Sequence, residues 1–156
     1  MQGLRTRPAR GFGLLELMIV LVVAGLLTTL AIPAYNGVIH RARVERAIGD
    51  IGTIHIKIEE YRIKNNHQLP ASLDDLSFDV GLDPWDQPYE YLNIQTAGPG
   101  SGALRKDGKL NPLNTDYDLY SVGEDGSSAG PLSAASSRDD IVRANNGAYI
   151  GLGEDY

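Results

Sequence analysis

The sequence predicts an α+β protein: one long N-terminal helix followed by a small head of short strands and long loops. Three observations predict it. Residues 12–32 are apolar apart from glycines, two threonines and one carboxylate, Glu16. Beyond Pro33, apolar residues recur at Val44, Ile48, Ile51, Ile54, Ile58 and Tyr61, in the steps of three and four that put them on one helix face. Most of the 18 glycines and eight prolines then fall after residue 65, among short alternating stretches that suit strands.

Bulk properties limit what such a chain can do. At 156 residues, with the apolar run removed from the core, roughly 90 remain for the head, near the lower end of what folds alone. The net charge is −6, but Arg5, Arg7 and Arg10 all precede the apolar run. Taking those three from 14 basic residues leaves 11 against 20 acidic ones, or −9. That balance argues against nucleic acid as a partner. There is no cysteine, so neither a disulfide nor a thiolate metal site can staple the head. A small, acidic, loop-rich head of this kind is a candidate for calcium.

Residues 12–32 span about 31 Å as a helix, enough to cross a bilayer once. The arginines of the leader, residues 1–11, orient that end to the cytoplasm and deliver the rest outside. Thr28, Thr29 and Ala31 are poor material for an ordinary signal-peptidase site. Glu16 is the anomaly, because an ionised carboxylate in hydrocarbon costs several kcal/mol unless it is neutralised or paired.

Gly11-Phe12-Gly13-Leu14-Leu15-Glu16 resembles the class III signal of type IV pilins and type II secretion pseudopilins, with Gly13 where that family usually carries threonine or serine. The resemblance implies that a prepilin peptidase cuts between Gly11 and Phe12 and that Phe12 is then N-methylated. It gives Glu16 a partner. The new amine of Phe12 on one subunit neutralises Glu16 on a neighbour staggered by about one turn, so two expensive charges become one pair only on assembly. A wrongly staggered neighbour would leave the carboxylate unpaired. Gly25 and Pro33 bound the weakest stretch of the helix, since glycine is a poor helix former and proline removes a hydrogen bond; a kink is expected there in a lone subunit.

Residues 12–33 are thus the membrane-spanning, assembly half of the helix, residues 34–65 its amphipathic outer half, and residues 66–156 the head. His40 and His55 lie fifteen positions apart and read as solvated helix residues. Asn65-Asn66-His67 followed by Pro70 supplies the stop. Ser72 and Asp75 form a capping-box pattern for a short helix through Leu76. Adjacent Asp74 and Asp75 diverge by about 100° on a helix and are no acid/base pair.

Asp83-Pro84-Trp85-Asp86-Gln87-Pro88-Tyr89 sets two prolines around the lone tryptophan, which fixes a turn and offers a large anchor; residues 89–94 then alternate as a strand. The stretch resembles the Asp-Pro-Trp-Gly-x-Pro-Tyr signature of major pseudopilins, with Asp86 in place of a glycine. Aspartate is among the better tolerated replacements in a left-handed conformation, so the turn is expected to survive. Residues 97–102 are a glycine-proline turn. Asp107-Gly108-Lys109-Leu110-Asn111 is no EF-hand, because Lys109 takes a ligand position and Pro112 the invariant glycine position.

Residues 116–122 alternate as a strand, then enter an acidic loop, 122–141, that begins Gly123-Glu124-Asp125-Gly126 and ends Arg138-Asp139-Asp140-Ile141. Carboxylates at both ends of a small-residue tether can enclose a hard cation, though on their own they suit a solvated turn better. The loop resembles the C-terminal loop of the major pseudopilins. That resemblance implies structural calcium held by Asp125, Asp139, Asp140 and the Val122 carbonyl. The separation of Asp125 from Asp139 is longer than usual for the family, and a tail, residues 145–156, replaces its usual short ending.

Enzyme signatures are lacking: there is no His-Glu-x-x-His, no phosphate-cradling glycine loop and no cysteine. A calcium-dependent binding module anchored in the membrane is one alternative, and a type IV pilin for adhesion, motility or DNA uptake is another. The resemblance implies a type IV pilin-like fold, with the helix packed on a small antiparallel sheet. It also implies a pseudopilus subunit that drives export across the outer membrane, anchored in the bacterial inner membrane with its head in the periplasm. Its implied partners are copies of itself, the prepilin peptidase, the inner-membrane assembly platform with its ATPase, and minor pseudopilins.

Overall fold

The computed structural model describes residues 13–156 apart from 99 and 109, so Gly11 and Phe12 lie outside the described residues. Helix α1, Leu14–Lys64, is 51 residues long and continues through both Gly25 and Pro33. The chain divides into two compact units, Met1–His40 and Arg41–Tyr156.

In the first unit the described helix up to Ile32 is apolar around its circumference, and its large apolar side chains are exposed. Exposure of its large apolar side chains up to Ile32 runs from 48% at Val23 to 78% at Leu14. Among the described residues this is the one helix long and apolar enough to cross a membrane. Its two threonines do not interrupt that character. Thr28 donates its hydroxyl to the Ala24 carbonyl at 2.8 Å and Thr29 donates to Gly25 at 2.9 Å, so both groups are satisfied inside the helix, as hydrocarbon demands.

In the second unit, Val44, Ala47, Ile51, Ile54 and Ile58 line one face of α1 and are buried, with Ile48 and Tyr61 packed beside them. This is the expected stripe. Burying each of the large ones contributes about 1.5–3 kcal/mol. The helix stops where its sequence says, at Asn66 and His67, which take left-handed φ values of 54° and 65°. A 3₁₀ turn, Leu73–Asp75, follows, and Asp75 accepts from the Ser72 and Ala71 amides at 3.1 and 2.8 Å.

Four strands form one antiparallel sheet in chain order: β1 (Glu90–Asn93), β2 (Tyr117–Ser121), β3 (Ile141–Ala144) and β4 (Tyr149–Leu152). A one-turn helix, α2 (Ile94–Ala97), follows β1. The register pairs Tyr91 with Leu119, Tyr120 with Val142 and Arg143 with Ile150. Side-chain alternation sends Tyr117, Leu119 and Ile141 into the core with α1, while Val142 and Ala144 join Leu113 and Leu132 in a second cluster. The α+β expectation holds. The C-terminal tail is a strand, and it is tied down by a left-handed turn at Asn145, Asn146 and Gly147. Asn146 accepts from the Thr115 amide and donates its own amide to Asn114, each at 2.8 Å.

Candidate functional site

Glu16 stands in the first turn of α1, where the Glu16 and Leu17 amides donate to the Gly13 carbonyl at 3.0 and 3.2 Å. The positive end of the helix dipole favours a carboxylate here, but only by a fraction of what hydrocarbon burial takes away. Gly25 lies farther along in open surroundings, with nothing within 4 Å of where a Cβ would stand. The expected assembly residues Glu16, Gly25 and Pro33 therefore sit on one helix, and the expected processing pair Gly11 and Phe12 lies outside the described residues.

The acidic loop is built around a sharp return of the chain. Gly123 has φ +69°, and a Cβ there would stand 2.4 Å from the Asp139 carbonyl oxygen and 2.7 Å from its Oδ2. That close approach lets Asp139 Oδ2 accept from the Asp125 amide at 2.9 Å, while Asp125 Oδ1 accepts from the Ser127 amide at 2.7 Å. Asp140 is fully buried and points elsewhere: its Oδ2 accepts from Arg105 Nη2 and from the Ser128 hydroxyl, each at 2.6 Å. Burial lifts the Asp140 carboxyl above the ordinary carboxylate range, against the lowering pull of Ser128 and Arg105.

The expected calcium ligands thus do not converge. Asp125 and Asp139 are engaged with backbone amides, Asp140 with a guanidinium, and Val122 is half-buried just past β2. Among the described residues no three acidic or histidine side chains gather as a metal shell. A cation that wants six to eight oxygens is not matched by this donor set.

The Trp85 turn next to β2 hangs on a residue whose part the sequence did not suggest. Asp83 is buried, its Oδ1 accepting from the Trp85 and Gln87 amides at 2.9 and 2.8 Å and its Oδ2 accepting from the Ser121 hydroxyl. Asp86 is left-handed with φ 64°, as expected of the residue in the glycine position. Tyr89 donates to Asp50 at 2.9 Å, tying the turn to α1. Burial, then that hydrogen bond, raises the Tyr89 phenol above its ordinary range.

A second buried cation holds the other end of β2. Arg143 is 1% exposed and donates in a fork to Asp116, from Nη1 at 2.9 Å and from Nη2 at 2.7 Å, with its Cζ 4.0 Å above the Tyr117 ring. Burial pushes the Asp116 carboxyl upward, but the hydrogen bonds from Arg143 and the Tyr117 amide outweigh it and hold the group low. His55 is not a solvated helix residue. It is half-buried and hydrogen-bonded through Nδ1 to the Tyr117 hydroxyl, and burial followed by the charge of Arg143 lowers its pKa. His55, Glu59, Arg62, His67, Asp116 and Arg143 line an open groove of about 690 Å³. The hydroxyl on His55 is a phenol, so no serine nucleophile is paired with it.

Comparison with known proteins bears on this arrangement of bare helix and compact head. Residues 6–32 match the model of the prokaryotic N-terminal methylation motif. The chain is 33% identical over 140 residues to the type II secretion system core protein G of Pectobacterium carotovorum subsp. carotovorum, covering 87% of this chain and 85% of that protein. It is 30% identical over 146 residues to the protein of that name from Escherichia coli (strain K12), covering 88% and 92%.

The chain belongs to the type II secretion system core protein G family.

A further core protein G, from Dickeya chrysanthemi, is 31% identical over 149 residues and 92% of each chain. No solved structure matches the chain significantly. The matches to these core protein G relatives cover 87–92% of the chain, so they reach well beyond the methylation motif into the head.

Proposed function

We propose that this protein is the structural subunit of a type II secretion pseudopilus, polymerising through α1 and catalysing nothing itself. The observation that carries the proposal is the first unit of the chain. Its helix exposes apolar side chains on every side and has a single carboxylate in its first turn. Such a surface needs hydrocarbon before assembly and neighbouring helices after it.

In this reading the prepilin peptidase cuts between Gly11 and Phe12, the Phe12 amine is methylated, and the mature chain waits in the inner membrane with its head in the periplasm. The assembly platform and its ATPase extract subunits into the filament. Each Glu16 then meets the Phe12 amine of a neighbour, and the growing polymer, tipped by minor pseudopilins, pushes exported proteins outward. Membership of the core protein G family supports the secretion role, and the buried, hydrogen-bonded head supports a rigid building block.

Deleting the gene tests this. Export of secreted proteins should stop and return when the full chain is restored, and filaments carrying the chain should stay within the periplasm. Undiminished export by the deletion strain would overturn the proposal, and so would filaments on the surface of a strain lacking the outer-membrane secretin.

A further inference from the structure

We propose that Arg105 closes the acidic C-terminal loop in the place a divalent cation would take, so that the head holds its fold without calcium. The guanidinium joins both ends of the loop. Nη1 donates to the Ser128 hydroxyl near its start and Nη2 to Asp140 at its end, while Ser128 itself donates to the same Asp140 oxygen. The side chains of Arg105 and Asp140 are 3% and 0% exposed. This is the topological task of a bridging metal ion, performed by a cation the chain carries.

The arginine is held in place from several directions. Its amide donates to Asp118 Oδ2 at 2.8 Å, its carbonyl accepts from Leu113 at 2.8 Å, and its Cζ lies 4.2 Å over the Tyr120 ring. Asp118 is fixed in turn by Asn114, which donates to its other oxygen at 2.9 Å. Next door, the Lys106 amide donates to Gly130 and the Leu132 amide to Lys106, both at 2.9 Å, so the arginine's own segment is stitched along the loop it closes.

Arg105 Nε and Asp140 Oδ1 are both buried without a hydrogen-bond partner, and they belong to the same ion pair, one a donor and the other an acceptor. A calcium ion placed beside that pair would face a permanent positive charge, with Asp125 and Asp139 already turned to backbone amides. The staple does not depend on whether the chain polymerises.

Thermal unfolding of the detergent-solubilised full chain, followed by Trp85 fluorescence, tests the proposal. The wild-type midpoint should agree within about 1 °C between millimolar calcium and excess chelator, since a ligand that binds only the folded state would raise it. Calorimetric titration should likewise find no saturable calcium binding. Arg105→Met should lower the midpoint by about 10 °C or more in both media, because it strands a buried carboxylate, and adding Asp140→Leu should recover much of the loss. If Arg105→Met does not fold, Arg105→Lys, which keeps the charge and loses the fork, should fold with a lowered midpoint. A calcium-dependent rise of the wild-type midpoint would overturn the proposal, as would saturable binding or an Arg105 variant that melts like wild type.

Discussion

Asp83→Ala is the most informative single change in the head. The wild-type carboxylate is 2% exposed and accepts three hydrogen bonds, from the Trp85 amide, the Gln87 amide and the Ser121 hydroxyl. Hydrogen bonds to a charged group contribute about 1.5–3 kcal/mol each, but two of these share Oδ1, so a total of about 3–6 kcal/mol is expected. In a unit the size of Arg41–Tyr156, that corresponds to a midpoint lowered by roughly 10–25 °C. Asp83→Asn should lose far less. Its oxygen can still serve both amides while its Nδ2 donates to Ser121, whose hydroxyl can accept. The assay is thermal unfolding of the full chain by fluorescence of Trp85, which sits in the turn itself. A midpoint lowered by less than about 3 °C in the alanine variant would refute the reading of Asp83 as the hub of the turn.

Other perturbations have equally definite outcomes. Gly123→Ala forces a Cβ against the Asp139 backbone at a left-handed position and should cost about 2–4 kcal/mol, read as a lowered midpoint; wild-type stability would count against the close approach. His55 has a folded pKa below 6.5, so the unfolded state takes up the proton first, and its contribution to stability is lost as pH falls through 6.5. The midpoint should therefore drop between about pH 7.5 and 5.5 by more in wild type than in His55→Gln, and equal slopes would contradict this. Asp116 acts in the same direction lower down: its folded pKa is depressed, so its contribution is present above 3.8 and fades as pH falls below that value. Replacing Gly11 with a bulky residue should leave the leader attached, visible as an unprocessed species by mass spectrometry, and normal maturation would refute the cleavage assignment.

What the sequence revealed follows the range of the interactions involved. The α1 stripe from Val44 to Tyr61 was legible because its signal is a local period. Strands β1 and β2 were legible because each alternates next to turn residues. Strand β3 was not, since all four of its residues are buried and Ile141-Val142-Arg143-Ala144 shows no alternation to read. With β3 hidden, its partner β4 looked like a tail. The polar links that organise the head were invisible for another reason. Arg105 meets Asp140 across 35 residues, Ser121 meets Asp83 across 38, and His55 meets Tyr117 across 62. The acidic loop drew attention as a cluster of like charges, but its cation comes from a segment that reads as an ordinary turn.

The central claim is that Glu16 is one half of an intermolecular pair. The direct measurement is the yield of sedimentable filament from cells expressing Glu16→Ala in place of the wild-type chain, with processing and membrane insertion checked on the same cells. A processed, inserted variant that forms little or no filament is the predicted result. Filament at wild-type yield and wild-type register would contradict it.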